Sequence, residues 1–286
     1  MSTSPLFHAL IDDAALFPPG NAPMEIAVPT HQEHRSAWYA DMIGPFLCPA
    51  SRLTELAGRL DDDAALGVTI IVDTGTGGIG PAVDEVAADR RMTLRGAEAP
   101  LRGEPLPDAA RRTVAALDAA LGGPDDEEPA YIEVPQAEGW RDALEIVAES
   151  GYRAKLRTGG PTPEAFPPED EVARFIVACL ELDVPFKFTA GLHHAVRRTT
   201  PDGREEHGFL NALLAVAVAL DGGDVEAIAH TLADRGAQGI ADRIAALPGG
   251  RASSVRAWLG SYGSCSVTEP IGDLLDLKLV SAPTGR

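Results

Sequence analysis

The chain has 286 residues, with 24 Lys and Arg against 43 Asp and Glu and a formal net charge of −19. That balance argues against a nucleic acid or an anionic membrane surface as the partner, since like charges repel. The 45% apolar content supplies a sizeable core. Three cysteines (Cys48, Cys179, Cys265) without C-x-x-C spacing give neither a disulfide framework nor a zinc signature.

In chain order, short apolar runs recur, each ending in a turn. Met1–Pro5 has no basic or long apolar leader, so no secretory signal is expected and a reduced, cytoplasmic setting is. Phe7–Asp12 reads as the first strand and runs into Asp12-Asp13. Ile43–Cys48 ends at Pro49, and a capped helix is expected over Ser51–Leu60. Val68–Val72 is β-branched and ends at Asp73. The glycine-rich Gly75–Gly80 after it lacks the spacing of a phosphate loop and reads as a flexible connection. Met92–Ala97 is the fourth strand. After a polar linker at Gly122–Pro129, Tyr131–Val134 is the fifth, followed by helical spacing over Trp140–Glu149. Tyr152–Arg157 leads into Gly159-Gly160, Glu169–Leu182 is an amphipathic helix, and Pro185–Thr189 leads into Ala190-Gly191. The last strand is expected within Trp258–Ser266, with a helix over Ile271–Leu277.

Apolar strands alternating with helices imply a parallel sheet covered on both faces. Eight such units in one domain over residues 1–286 predict an α/β fold, a (β/α)8 TIM-like barrel; a doubly wound open sheet is the runner-up. Residues 195–256 are too long for an ordinary βα connection. They predict a helical insertion between strands seven and eight, with helices over His207–Leu220, Asp224–Asp234 and Gln238–Leu247 and a surface loop at Thr199–Glu206. This insertion is a candidate lid or oligomer surface, so a homo-oligomer is among the expected states. The longest apolar run, Phe209–Leu220, is too short to span a bilayer, and no membrane partner is expected.

Lysine is the compositional oddity. The chain has 21 arginines and three lysines, and two of these, Lys155 and Lys187, sit in matching contexts at consecutive strand ends. An amine can lose its proton and form a Schiff base with a carbonyl, whereas a guanidinium cannot. Side chains alternate along a strand, so Lys155 and Arg157 share one face. If that face is the barrel mouth, neighbouring cations are expected to lower the amine pKa. The other strand ends offer Asp12, Asp13, Cys48, Asp73, Glu98, Glu133, His193, His194 and Ser264–Ser266.

The run Lys155-Leu-Arg-Thr158-Gly159, then a helix, then Phe186-Lys187-Phe-Thr-Ala190-Gly191, resembles the sixth and seventh strands of deoxyribose-phosphate aldolases. That class I aldolase-like resemblance implies Lys155 as Schiff-base nucleophile and Lys187 as the cation that tunes it. Tyr262–Ser266 is similar to the family's phosphate-binding turn. The family's acidic proton-relay residue belongs to the fourth strand, where this chain offers Glu98. Two features depart from the pattern: Leu192 replaces the second glycine after strand seven, and His193-His194 follow it.

The expected activity is an aldolase- or lyase-like reaction on a small anionic carbonyl metabolite, without a cofactor. Lys155, Lys187, Asp12, Glu133 and His193 are the candidate catalytic residues. Arg157, Thr158, Gly159, Gly191, His194, Gly263, Ser264, Cys265 and Ser266 are the candidate substrate-binding residues. Two alternatives stand beside this reading. One is a metal-dependent barrel hydrolase, isomerase or lyase, with a divalent metal on His193, His194, His207 and nearby groups such as His8, Asp12, Asp13 or Glu133. The other is a non-catalytic binding barrel. His31 and His34, in a polar stretch, are expected to be exposed.

Overall fold

Every main strand runs in the same direction, because each is followed by a crossover that returns the chain to the same end of the sheet. The structure, a computed structural model, describes residues 4–103, 105–162 and 165–283. In it β1 (Ile11–Asp13), β2 (Ile43–Pro49), β3 (Leu66–Ile71), β4 (Met92–Pro100), β5 (Ala130–Glu133), β6 (Arg153–Arg157) and β7 (Phe186–Thr189) pair in sequence. A two-stranded ribbon of β8 (Arg198–Thr199) and β9 (Glu205–Glu206) follows. Strand β10 (Leu259–Ser264) then closes the barrel between β7 and β1. The eight barrel pairings are all parallel. The fold is a (β/α)8 barrel, and the open-sheet alternative is excluded by its closure.

Helices α1 (Met24–Ser36), α2 (Leu53–Ala57), α3 (Ile79–Ala88), α4 (Leu106–Leu121), α5 (Trp140–Ser150) and α6 (Glu169–Glu181) follow β1 to β6. Four more, α7 (Phe209–Leu220), α8 (Val225–Ala233), α9 (Ala237–Ala245) and α10 (Gly249–Trp258), lie between β7 and β10, and α11 (Thr268–Asp276) ends the fold. The expected single domain over 1–286 extends at both termini beyond the described residues, as does the leader reading at Met1–Pro5. Among the described residues no helix is long and apolar enough to cross a membrane.

Several boundaries differ from expectation. The helix expected over Ser51–Leu60 shrinks to a 3-10 turn at Ala50–Arg52 and the short α2. Within Gly75–Gly80, Thr76–Gly78 forms a 3-10 turn that leads straight into α3. The expected surface loop at 199–206 is held by the β8–β9 ribbon. The last strand starts at Leu259, because Trp258 still belongs to α10.

Alternation aims the functional strands. On β7, Phe186 and Phe188 pack outward on Phe175 of α6, with ring centroids 5.6 and 6.4 Å apart. Lys187 between them therefore points into the barrel. On β10, Tyr262 faces outward and stacks on Phe209 of α7 at 5.4 Å, which leaves Ser261 and Gly263 facing inward. Register sets Glu133 opposite Lys155 and Lys155 opposite Lys187, so three charged residues share one layer of the barrel.

The glycines of the two lysine motifs have a packing role. A Cβ on Gly159 would lie 2.7 Å from the Gly191 backbone, and Gly191 itself has φ of +73°. The loops after β6 and β7 therefore touch backbone to backbone. Gly159→Ala is expected to destabilise the fold by about 1–3 kcal/mol through overpacking. Gly80→Ala, a change into open space within α3, is expected to be neutral or stabilising by up to about 1 kcal/mol. Denaturant unfolding of the two variants checks the contrast.

Candidate active site

Buried charge needs buried countercharge, and the barrel interior provides it as an alternating chain. The Lys155 amine contacts Glu98 Oε2 at 2.5 Å and Glu133 Oε2 at 2.9 Å. The Lys187 amine contacts Glu98 Oε1 at 2.6 Å and also donates to Asp12 Oδ2. Asp12 accepts a second bond from Ser261 Oγ at 2.6 Å, and Glu133 accepts from Arg157 Nε at 3.0 Å. Asp12, Glu98, Lys155 and Lys187 are each at most 3% exposed. The Tyr131 ring lies 5.2 Å from the Lys187 amine and adds a π face to its carboxylate partners.

This arrangement corrects the electrostatic expectation. The two amines were expected to meet as neighbouring cations, but the Glu98 carboxylate stands between them. Burial would lower Lys187, yet Asp12 and Glu98 outweigh it and raise its pKa, so Lys187 stays an ammonium. Burial would raise Glu98, but the two lysines hold its carboxyl at about 2. Burial likewise opposes ionisation of Glu133, and Lys155 and Arg157 bring it below its ordinary value.

Above this chain, at the C-terminal ends of the strands, lies a cavity of about 330 Å³. Lys155 and Glu98 line it, whereas Lys187 does not. Phe17, Leu47, Ile71 and Phe166 supply apolar wall, and Arg157, Arg204 and Glu206 supply charge. Arg204 and Glu206 come from the β8–β9 ribbon, so the insertion helps to build the cavity. Arg204 stacks over Phe166 at 5.6 Å.

The candidate residues separate by position. Lys155, Arg157, Gly191, His193, Gly263 and Cys265 line the cavity. Asp12 and Glu133 do not: they lie beneath it, paired with Lys187 and Lys155. Thr158 is buried, and its hydroxyl donates to the Ala190 carbonyl at 2.6 Å. Gly159 packs on Gly191. His194 turns away to Asp273 Oδ2, 3.1 Å distant. Ser264 Oγ donates to the Ser266 carbonyl at 2.7 Å, and Ser266 Oγ accepts from the Glu269 N–H at 3.3 Å, inside the first turn of α11. These bonds order the Gly263–Ser266 turn and join it to the start of α11.

The expected histidine metal set is not assembled. His193 meets Glu269, His194 meets Asp273, and His207 is bonded to Arg197 and to the Pro167 carbonyl. His8 is exposed. Among the described residues no group of three or more His, Cys, Asp or Glu side chains is placed to hold a metal ion. His31 and His34 are buried, contrary to expectation. His31 lies 2.9 Å from Asp13 and His34 lies 3.0 Å from Tyr39, so Asp13 faces α1 and not the cavity. No family model matches the chain, and comparison with curated proteins and with solved structures finds no match.

Glu98 is the residue that the candidate set missed. The register of β3 with β4 shifts between Val68 and Thr69, skipping Arg95. A bulge of this kind reverses the in-out alternation, so counting along β4 from Met92 puts Glu98 on the wrong face. Ser261, Arg204 and Glu206 were missed because their roles depend on residues far away in sequence.

Glu98→Gln leaves two ammonium groups short of countercharge and is expected to cost about 3–5 kcal/mol. The carboxyl sits at about 2, below its ordinary 4.5. Its ionisation therefore stabilises the fold above pH 4.5, and this contribution, on the order of 3 kcal/mol, disappears as pH falls to about 2. Thermal unfolding from pH 7 to pH 2 is expected to show the wild-type advantage over Glu98→Gln shrinking across that window.

Proposed function

We propose that this barrel is a class I aldolase-type lyase that binds a small anionic carbonyl compound and forms a Schiff base at Lys155. The observation that carries this reading is that, of the two coupled amines, Lys155 alone opens on the cavity while Lys187 is locked below it as an ammonium. The resemblance of the two lysine motifs to deoxyribose-phosphate aldolases points the same way. With Lys187 held protonated, the proton that Lys155 must shed goes to Glu98 or Glu133, both within hydrogen-bond reach.

The neutral amine then adds to the substrate carbonyl carbon, and loss of water gives an iminium ion. The iminium draws the electron pair of the Cα–Cβ bond. The β-hydroxyl proton is removed, an aldehyde leaves, and the enamine is reprotonated on carbon before hydrolysis frees the amine. Glu98 and Glu133, both ionised at rest, are the carboxylates within reach of the amine that can take up and return these protons. Arg157 and Arg204, the two guanidinium groups of the cavity wall, would hold the anionic group in exchange for part of their pairing with Glu133 and Asp202.

Borohydride reduction in the presence of candidate carbonyl compounds is expected to add the substrate mass to the peptide containing Lys155. Lys155→Arg keeps the charge without a nucleophilic amine and is expected to abolish trapping and turnover; a fully active Lys155→Arg enzyme would sink the reading. With a substrate in hand, Arg204→Ala is expected to raise KM roughly tenfold, about one charge-assisted hydrogen bond, with a smaller change in kcat.

A further inference from the structure

The wall of the cavity carries a second nucleophile with its own base. Cys265 lines the cavity just past the end of β10. Its sulfur lies 3.6 Å from His193 Nε2 and 3.7 Å from His193 Nδ1. His193 Nδ1 in turn lies 3.1 Å from Glu269 Oε2 on α11. The sulfur approaches both ring nitrogens about equally, and with Nδ1 donating its proton to Glu269, Nε2 is the one left to accept from the thiol. Nucleophile, base and orienting carboxylate thus stand in the order that general-base activation requires.

The surroundings complete the site. Burial pushes the Cys265 thiol above its ordinary value, while the backbone N–H groups of Gly20 and of Cys265 itself oppose that shift by favouring the thiolate. Cys265 therefore rests as a thiol and needs a base at the moment of attack. Gly20 packs so closely that a Cβ there would lie 3.2 Å from Cys265 Cβ. The other two cysteines differ: Cys48 and Cys179 are fully buried, and burial drives the Cys48 thiol to about 12.

We propose that Cys265 is a base-activated thiol that captures aldehydes in the cavity reversibly, as hemithioacetals. His193 Nε2 takes the thiol proton as sulfur adds to the carbonyl carbon. The sulfur–carbon bond forms, the carbonyl π pair moves onto oxygen, and His193 passes the proton to that oxygen. Nothing leaves and no electron acceptor is consumed, so the step runs backwards to release the aldehyde beside Lys155. The choice of aldehyde as ligand rests on the proposed Schiff-base function, whereas the reactivity of the thiol does not.

Two measurements test this. In the folded protein, limited iodoacetamide followed by peptide mapping is expected to label Cys265 ahead of Cys48 and Cys179. His193→Gln is expected to slow that labelling about a hundredfold, the smaller end of a general-base effect. Glu269→Gln, a change at a half-exposed side chain, is expected to slow it less. A Cys265 that resists the reagent, or labels equally fast in His193→Gln, overturns the proposal. Second, ¹³C NMR with [1-¹³C]propanal is expected to show a hemithioacetal resonance with the wild type and none with Cys265→Ser. Absence of that resonance from the wild type, or its persistence in Cys265→Ser, also overturns it. A hemithioacetal without trapping at Lys155 would sink the lyase reading alone, and trapping without a hemithioacetal would sink the thiol proposal alone.

Discussion

Two ammonium groups cannot share a barrel interior unless something of opposite charge stands between them, and here that is the Glu98 carboxylate. One oxygen takes Lys155 and the other takes Lys187. From this bridge the charges alternate in both directions, through Lys187 to Asp12 and through Lys155 to Glu133 and Arg157. Three cations face three carboxylates, so the chain is formally neutral although the protein carries −19 overall. Such a network costs desolvation at every member, and removing one member leaves its neighbours with uncompensated charge. It therefore fixes the relative positions of β1, β4, β5, β6 and β7 at the level where the cavity begins.

The same bridge makes two chemically similar lysines unequal. Lys187 is enclosed by two carboxylates and an aromatic face and holds its proton. Lys155 sits one strand away, has the same bridging partner, and reaches the open space above. The walls of that space come from parts of the chain that no single βα unit contains. Phe17 comes from the loop after β1, Arg157 from β6, and Arg204 and Glu206 from the ribbon in the long connection before β10. That connection is thus more than an outer layer of helices: its first segment shapes what the lysine meets.

Much of the plan was legible in the chain, for identifiable reasons. Phe186-Lys187-Phe188 sets a charged residue between two aromatic ones on a strand, and the packing of both rings on Phe175 decides that the amine points inward. Lys155 and Arg157 share a face by strand alternation. The barrel followed from the rhythm of apolar runs and helices, and the long connection from its length. Other features were hidden. A bulge in β4 reversed the alternation before Glu98. Thr158 and Ser264 were candidate binding residues, yet their hydroxyls donate to the nearby carbonyls of Ala190 and Ser266. His31 lies in a polar helix, but the face it occupies turns toward Asp13 and becomes buried.

Local pattern was enough to establish the alternating elements, the placement of both lysines on consecutive strands and the shared face of Lys155 and Arg157, because each depends only on the period of the backbone and on neighbouring side chains. Which carboxylate separates the amines, which amine reaches the cavity, and which cysteine meets a histidine depend on closure of the barrel. Closure brings residues 57 and 89 positions from Glu98 onto its two oxygens, and sets Cys265 beside a histidine 72 residues earlier. Those pairings are products of strand order and register, and no local period encodes them.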